Sequence, residues 1–288
     1  MRPRAFHTTW TRPYFASKSS YVPYREDDFA ILTMMLSALM WRRCNGSIRM
    51  YTDVIGADYY TRLGLIDLWN DGIDTAVLEQ TQWDINPRSF WSAGKVLSMA
   101  AETSPCVMMD TDFIVWFPLL LLTRPHDLIV IHREQIWEAI YVPQTALKTA
   151  RGYTFDSNWS WEEPACNTAF VSIGHEEFRR NYTSEALRFM HKNAEESPVA
   201  SAQTVFAEQR LLAMCARKSG LTIHSLLPDS GDWNRQHQFT HLWGHKAVLR
   251  RDPIERRTFC LQCVARIRRD FPHEAAMLEG IAELHPYL

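Results

Sequence analysis

Two aspartates separated by one residue, Asp110 and Asp112, follow the apolar run at residues 107–109. A run without polar alternation is typical of a strand buried on both faces of a sheet. If that strand continues, side chains two residues apart point to the same side, so the two carboxylates form a pair. Two such charges repel each other unless a cation lies between them, and carboxylate oxygens favour Mg²⁺, Mn²⁺ or Ca²⁺. The alternative is a strand ending in an ordinary turn, where aspartate is common.

The elements that must position this pair alternate between strands and helices. Periodicity and capping residues predict a short strand that runs into a polar turn within residues 5–13, and further strands over 48–52, 72–78, 107–109, 127–132 and 169–173. They predict helices over 26–43, 58–69, 91–102, 184–192, 202–218 and 253–284. This alternation predicts a three-layer α/β fold in which helices flank a mostly parallel central sheet. Sheets of this kind bind ligands at the carboxyl ends of their strands, which is where Asp110 and Asp112 lie.

Composition excludes some classes of function. The 288 residues are 46% hydrophobic, and the net charge of −2 provides no field that would gather nucleic acid. The longest apolar stretch, residues 113–122, is shorter than the about 20 residues that cross a bilayer. We therefore expect a cytoplasmic enzyme with no transmembrane segment and no nucleic-acid partner. The sequence has no glycine-rich phosphate loop, so a bound phosphate would depend on a metal.

Four local motifs between residues 95 and 246 occur in the order found in a known enzyme family. Lys95, in Ser-Ala-Gly-Lys, is a basic residue on a helix before the Asp-x-Asp segment. Asn167-Thr168-Ala169 is similar to an Asn-x-Gly strand, with Ala169 in place of the glycine. Together with the two motifs that follow, these segments resemble the GT-A glycosyltransferases, and most closely the glycogenin and lipopolysaccharide galactosyltransferase group.

The other two motifs lie nearer the C-terminus. Glu208-Gln209 resembles an Asp-Gln pair that opens a helix in that family, with glutamate in place of aspartate. The segment from His241 through Gly244 to Lys246 resembles His-x-x-Gly-x-x-Lys, with one residue fewer before the lysine. The shortened spacing leaves it open whether His241 and Lys246 keep the family roles.

The resemblance implies a GT-A (Rossmann-like) fold in a single domain, residues 1–288. The nucleotide- and metal-binding part would span about 1–135, and the acceptor-side part about 136–288. It implies a hexosyltransferase that moves a sugar from a nucleoside diphosphate sugar, expected to be a UDP-sugar, to a saccharide or another hydroxyl acceptor. The sugar, the acceptor, the base, the stereochemical outcome and the oligomeric state stay open at this point.

The resemblance also implies roles for individual residues. Mn²⁺ or Mg²⁺ would be held by Asp110, Asp112 and His241, and Glu208 and Gln209 would act beside the anomeric carbon as catalytic residues. The donor would be bound by five residues, namely Lys95, Asp110, Asn167, Gly244 and Lys246. The plainer interpretations are a histidine in a polar loop, solvated lysines and acids on a helix surface.

Two other classes of function remain open. One is a protein that binds a carbohydrate or nucleotide sugar without turnover. The other is a Mg²⁺-dependent nucleotidyltransferase or phosphohydrolase. Such enzymes commonly hold two metals, which requires further acids near the aspartate pair, whereas the downstream motifs offer histidine and lysine.

Overall fold

The computed structural model describes residues 4–18, 22–80, 84–193, 201–227 and 237–288. The strands are β1 (Arg4–Thr9), β2 (Ile48–Thr52), β3 (Ile73–Asp74), β4 (Cys106–Met109), β5 (Phe113–Val115), β6 (Leu128–Val130), β7 (Arg133–Glu134), β8 (Ala165–Cys166), β9 (Phe170–Ile173), β10 (Ile223–Ser225) and β11 (Phe239–His241). The α-helices are α1 (Arg12–Ala16), α2 (Asp28–Cys44), α3 (Val54–Arg62), α4 (Ala76–Glu79), α5 (Ala93–Ala101), α6 (Glu176–Lys192), α7 (Ala202–Val205), α8 (Leu211–Lys218), α9 (His245–Arg251) and α10 (Pro253–Asp270).

Seven strands form the central sheet, in the order β10-β6-β9-β4-β1-β2-β3. Strand β9 runs antiparallel to both of its neighbours, β4 and β6, whereas the other pairs in this sheet are parallel. The predicted α/β architecture with a mostly parallel sheet is confirmed. The reversal of β9 matters for the site, because it places the beginning of β9 beside the end of β4.

Helices cover both faces of this sheet. Helix α2 packs on one face, and α10 packs against it from outside. Most of α2 is apolar around its whole circumference, as expected for a helix enclosed between a sheet and another helix. Helices α5, α6 and α8 cover the opposite face. Successive side chains of β1 point to opposite faces of the sheet. Ala5 therefore packs in the hydrophobic core on the α2 side, and Phe6 packs in the core on the side of α5, α6 and α8.

Several predicted elements differ from the observed ones. The strand predicted over residues 72–78 is wrong beyond Asp74, because α4 begins at Ala76. The helix predicted over 58–69 begins and ends earlier, as α3, and is followed by Gly64 at φ +70°. The C-terminal helix ends at Asp270, two residues before Pro272, and short 3₁₀ turns take its place.

Two further observations concern helices. The segment predicted as one helix over residues 202–218 contains a π-helical turn at Phe206–Arg210, between α7 and α8. None of the helices in the described parts of the chain combines the length and apolar character needed to cross a membrane.

Candidate active site

Asp110 and Asp112 lie in a tight turn between β4 and β5. The Phe113 amide donates to the Asp110 carbonyl at 3.0 Å, and the Asp110 amide donates to the Ala169 carbonyl at 2.8 Å. The expectation that both aspartates continue a strand is therefore wrong. The turn nevertheless leaves the two carboxylates close together, and the pairing of β4 with β9 fixes the turn against residues 167–169.

His241 reaches the aspartates because β11 pairs antiparallel with β5. In this register His241 lies opposite Phe113, the residue after Asp112. One ligand atom from each of Asp110, Asp112 and His241 lies within 4.8 Å of the other two. The predicted metal-binding residues therefore form a cluster that could hold one ion, although His241 is more than a hundred residues from the two aspartates in sequence.

The donor set suits a divalent cation. His241 Nδ1 is buried and has no hydrogen-bond partner among the described residues. Burial lowers the pKa of His241, outweighing the attraction of Asp112 and Asp110, which keeps the imidazole neutral as a ligand. Burial acts to raise the pKa of Asp110, but the nearby charges of Lys95, His241 and Lys246 outweigh it and lower that pKa. Two carboxylates and one imidazole match the ligands that Mn²⁺ accepts and are compatible with Mg²⁺.

Lys95 lies on α5 and its side chain reaches the Asp110 carboxylate. Its Nζ is 2.6 Å from Asp110 Oδ1 and 2.9 Å from Glu208 Oε1. Gly94 makes this position possible, because a Cβ there would lie 2.8 Å from the Cβ of Trp10 at the end of β1. Burial acts to lower the pKa of Lys95, but Asp110 and Glu208 outweigh it and raise that pKa, so the lysine is a fixed positive charge.

Glu208 projects from the π-helical turn and is 3% exposed. Its Oε1 accepts hydrogen bonds from Lys95 and, at 2.7 Å, from Thr168 Oγ1. Single π-helical turns occur frequently at functional sites because the extra residue re-aims a side chain. This geometry suits Glu208 to hold Lys95 beside Asp110.

Lys246 and Gly244 belong to the beginning of α9. Gly244 is the N-cap residue, and Lys246 Nζ lies 2.8 Å from Asp112 Oδ2. His241 Nε2 is 3.6 Å from the same carboxylate oxygen. The shortened His-to-Lys spacing therefore still brings both side chains to Asp112.

A second polar cluster, which sequence reasoning missed, centres on Glu134. The side-chain amide of Asn167 donates from Nδ2 to Glu134 Oε1 at 2.9 Å, and His132 Nε2 is 3.3 Å from the same oxygen. The Tyr141 hydroxyl donates to Glu134 Oε2 and is also 2.8 Å from Gln209 Oε1. Two predicted site residues, Asn167 and Gln209, thus contact this cluster. The sequence pattern that could have identified Glu134 is an acid that follows the apolar run at 128–131, much as Asp110 follows the run at 107–109.

Comparison with known proteins gives a family and a set of solved structures with a similar fold, two of which are named below. The profile of DUF6734, described as a family of unknown function, matches residues 4–275, and the chain belongs to this family. Curated proteins give no significant sequence match. The fold is similar to a structure titled PaToxG glycosyltransferase (TM-score 0.41, 7% identity, 76% of this chain and 70% of that one). It is also similar to mouse xyloside xylosyltransferase 1 in its apo form (TM-score 0.40, 10% identity, 78% and 85%).

Proposed function

We propose that this member of the DUF6734 family is a metal-dependent glycosyltransferase that moves a sugar from a nucleoside diphosphate sugar to a hydroxyl acceptor. The observation that carries the proposal is the convergence of Asp110, Asp112 and His241 on one point at the carboxyl edge of the sheet, with Lys95 and Lys246 beside them. A divalent metal held by the three-residue cluster, together with the two neighbouring lysines, would stabilise the negative charge of a diphosphate leaving group. We keep a UDP-sugar as the expected donor.

The proposed reaction requires stabilisation of negative charge, because charge grows on the diphosphate leaving group as its bond to the sugar breaks. Mn²⁺ or Mg²⁺ held by Asp110, Asp112 and His241 would supply Lewis acidity toward that charge. Lys246, on the open side of Asp112, is suited to contact the diphosphate. Lys95 is held by Asp110 and Glu208 and sets the position of the Asp110 carboxylate.

A nucleotidyltransferase or phosphohydrolase fits the same residues less well. Two-metal chemistry requires additional acids close to the first metal. Glu208, a further carboxylate near the cluster, is buried and already paired with Lys95. Only one group of three or more metal-ligating side chains occurs within the described residues. This arrangement favours one metal and one leaving group.

The test is to incubate the protein with UDP-glucose, UDP-galactose, UDP-N-acetylglucosamine and UDP-xylose, with and without Mn²⁺, and to identify the nucleotide products. A glycosyltransferase releases UDP from at least one donor, slowly with water as acceptor, and only with metal. Release of UMP would instead indicate cleavage within the diphosphate. Binding of UDP without any product would support the binding-protein alternative and overturn the proposal.

A further inference from the structure

Glu134 and Trp243 both contact His132, next to the candidate metal cluster. The Trp243 ring centroid is 5.1 Å from that of His132 and 5.3 Å from that of His241. His132 in turn contacts Glu134. Trp243 therefore connects the candidate metal ligand His241 with the Glu134 cluster.

Trp243 has an unusual backbone and an exposed ring. Its φ of +44° is the only positive value at a non-glycine residue among those the structure describes. Such a conformation costs about 1–3 kcal/mol, and residues of this kind cluster at active sites and ligand-binding sites. The side chain is 43% exposed although the neighbouring Leu242 is buried. Trp243 is therefore partly exposed to solvent beside His132 and His241.

Glu134 remains able to accept a further hydrogen bond. Three side chains of this cluster, His132, Tyr141 and Asn167, occupy part of its carboxylate, which offers about four lone-pair sites. Burial favours the neutral acid, but these hydrogen bonds outweigh it and lower the pKa of Glu134 to about 2. A carboxylate of that pKa is a poor general base near neutral pH and a strong hydrogen-bond acceptor.

We propose that Glu134 and Trp243 form the acceptor subsite and bind a saccharide, with the carboxylate accepting hydrogen bonds from sugar hydroxyls and the indole ring packing against the apolar face of the sugar. A permanent negative charge would repel the diphosphate, which separates this subsite from the lysine-lined donor side. Sites for neutral polar ligands combine aromatic surface with a few oriented polar groups in this way. The inference rests on the proposed function, because it assigns the acceptor of that reaction.

The experiment is a glycan array probed with the protein in the presence of UDP and Mn²⁺, with UDP affinity measured in parallel by calorimetry. The variants are Glu134→Gln, Trp243→Ala and Trp243→Phe, and the matched control is Glu138→Gln, an exposed glutamate four residues further along. We expect wild type to bind at least one saccharide. Glu134→Gln and Trp243→Ala should weaken that binding by about tenfold or more, Trp243→Phe less, and Glu138→Gln not at all.

The outcomes separate the two proposals. Saccharide binding that is undiminished in Glu134→Gln and Trp243→Ala would overturn the subsite. So would the absence of any bound saccharide in a wild-type protein that binds UDP. If wild type binds saccharides through Glu134 but does not bind UDP with Mn²⁺, the subsite stands and the glycosyltransferase proposal fails. Reduced UDP affinity in Glu134→Gln, equal to its loss of saccharide binding, would assign Glu134 to the donor side and overturn the inference.

Discussion

Lys246 Nζ forms an ion pair with Asp112 Oδ2 at 2.8 Å, and Asp112 is also one of the three candidate metal ligands. Asp112 is 4% exposed, so few other groups can neutralise it. The lysine and a metal ion therefore compete for one carboxylate when no donor is bound. A diphosphate offers Lys246 another anionic partner, so metal and donor binding should reinforce each other.

Replacing Lys246 should change metal and nucleotide binding in opposite directions. In Lys246→Gln we expect Mn²⁺ alone to bind about threefold more tightly, because the competing cation is gone, and UDP in the presence of Mn²⁺ to bind about tenfold more weakly. Calorimetric titrations of both ligands measure this, with the exposed Lys148→Gln as control. Parallel losses of both affinities would show that Lys246 supports the fold and does not compete with the metal.

Glu208→Gln should reduce turnover more than donor binding. The substitution removes one of two anions that hold Lys95, so the charge beside Asp110 is less well placed during bond breaking. We expect kcat to fall while the donor Kd changes by less than about threefold, roughly 0.6 kcal/mol. The buried ion pair also predicts a loss of about 1–3 kcal/mol in the free energy of unfolding. Unchanged turnover in a destabilised variant would assign Glu208 a structural role only.

Gln209→Ala should lower turnover with a smaller loss of stability than Glu208→Gln. Gln209 contacts Tyr141, which contacts Glu134, so its role is tied to the Glu134 cluster. We expect lower kcat with an unchanged Kd for UDP, and a smaller loss of stability than in Glu208→Gln, because Gln209 carries no charge and is only partly buried. Kinetics and thermal denaturation of the two variants side by side make this comparison. Equal turnover in Gln209→Ala and wild type would remove Gln209 from the mechanism.

The buried His7 predicts a pH dependence of stability. Trp69 Nε1 donates to His7 Nδ1 at 3.2 Å, so Nε2 carries the proton and faces Ser37 Oγ at 3.0 Å. Ser37 donates to the Phe113 carbonyl, directly after Asp112. Burial, opposed by the charge of Asp110, lowers the pKa of His7 to about 3. This hydrogen-bonded chain therefore requires neutral histidine.

The free energy of unfolding should fall as the pH falls from about 6.5 toward 3. In this range His7 binds a proton in the unfolded state but not in the folded state, so acid favours unfolding. We expect this group to contribute a slope of about 1.4 kcal/mol per pH unit between about pH 6 and 4. Denaturant unfolding of His7→Gln should lack that slope relative to wild type. The exposed His224→Gln serves as control and should retain it.

Local patterns in the sequence predicted much of the fold and site. The apolar runs before Asp110 and at 128–131 predicted central strands, because a strand that is buried on both faces consists almost entirely of apolar residues. The motif around His241 predicted its meeting with the aspartates, although the geometry came from the β5–β11 pairing. That pairing links segments far apart in the chain, and no local pattern encodes it.

Other features depended on tertiary structure. The aspartates lie in a turn because the Phe113 amide bonds back to the Asp110 carbonyl, while the Asp110 amide still pairs with Ala169 in the register of β4 and β9. The π-helical turn that aims Glu208 at Lys95 gives no signal in helical periodicity. Glu134 was missed because its importance comes from His132, Tyr141 and Asn167, whose side chains only the tertiary structure brings to its carboxylate. The division into parts at about residues 1–135 and 136–288 stays a prediction, and residues from both parts meet at the metal cluster.

The central claim is that Asp110, Asp112 and His241 bind a metal that in turn binds a nucleoside diphosphate. Replacing an aspartate by asparagine removes charge from the cluster without removing volume, so the fold should be retained. His241→Ala should weaken UDP binding with Mn²⁺ while leaving weak metal-free binding unchanged. Asp112→Asn should have the largest effect, because Asp112 is more deeply buried than Asp110 and faces both His241 and Lys246.

The most direct measurement is a calorimetric titration of UDP into wild type, Asp110→Asn, Asp112→Asn and the control Asp67→Asn, an exposed aspartate, each with saturating Mn²⁺ and each with a chelator. We predict that wild type and Asp67→Asn bind UDP at least about tenfold more tightly with Mn²⁺ than with the chelator. Asp112→Asn should lose that difference, and Asp110→Asn should lose most of it. UDP binding by Asp112→Asn that matches wild type at saturating Mn²⁺ would contradict the account.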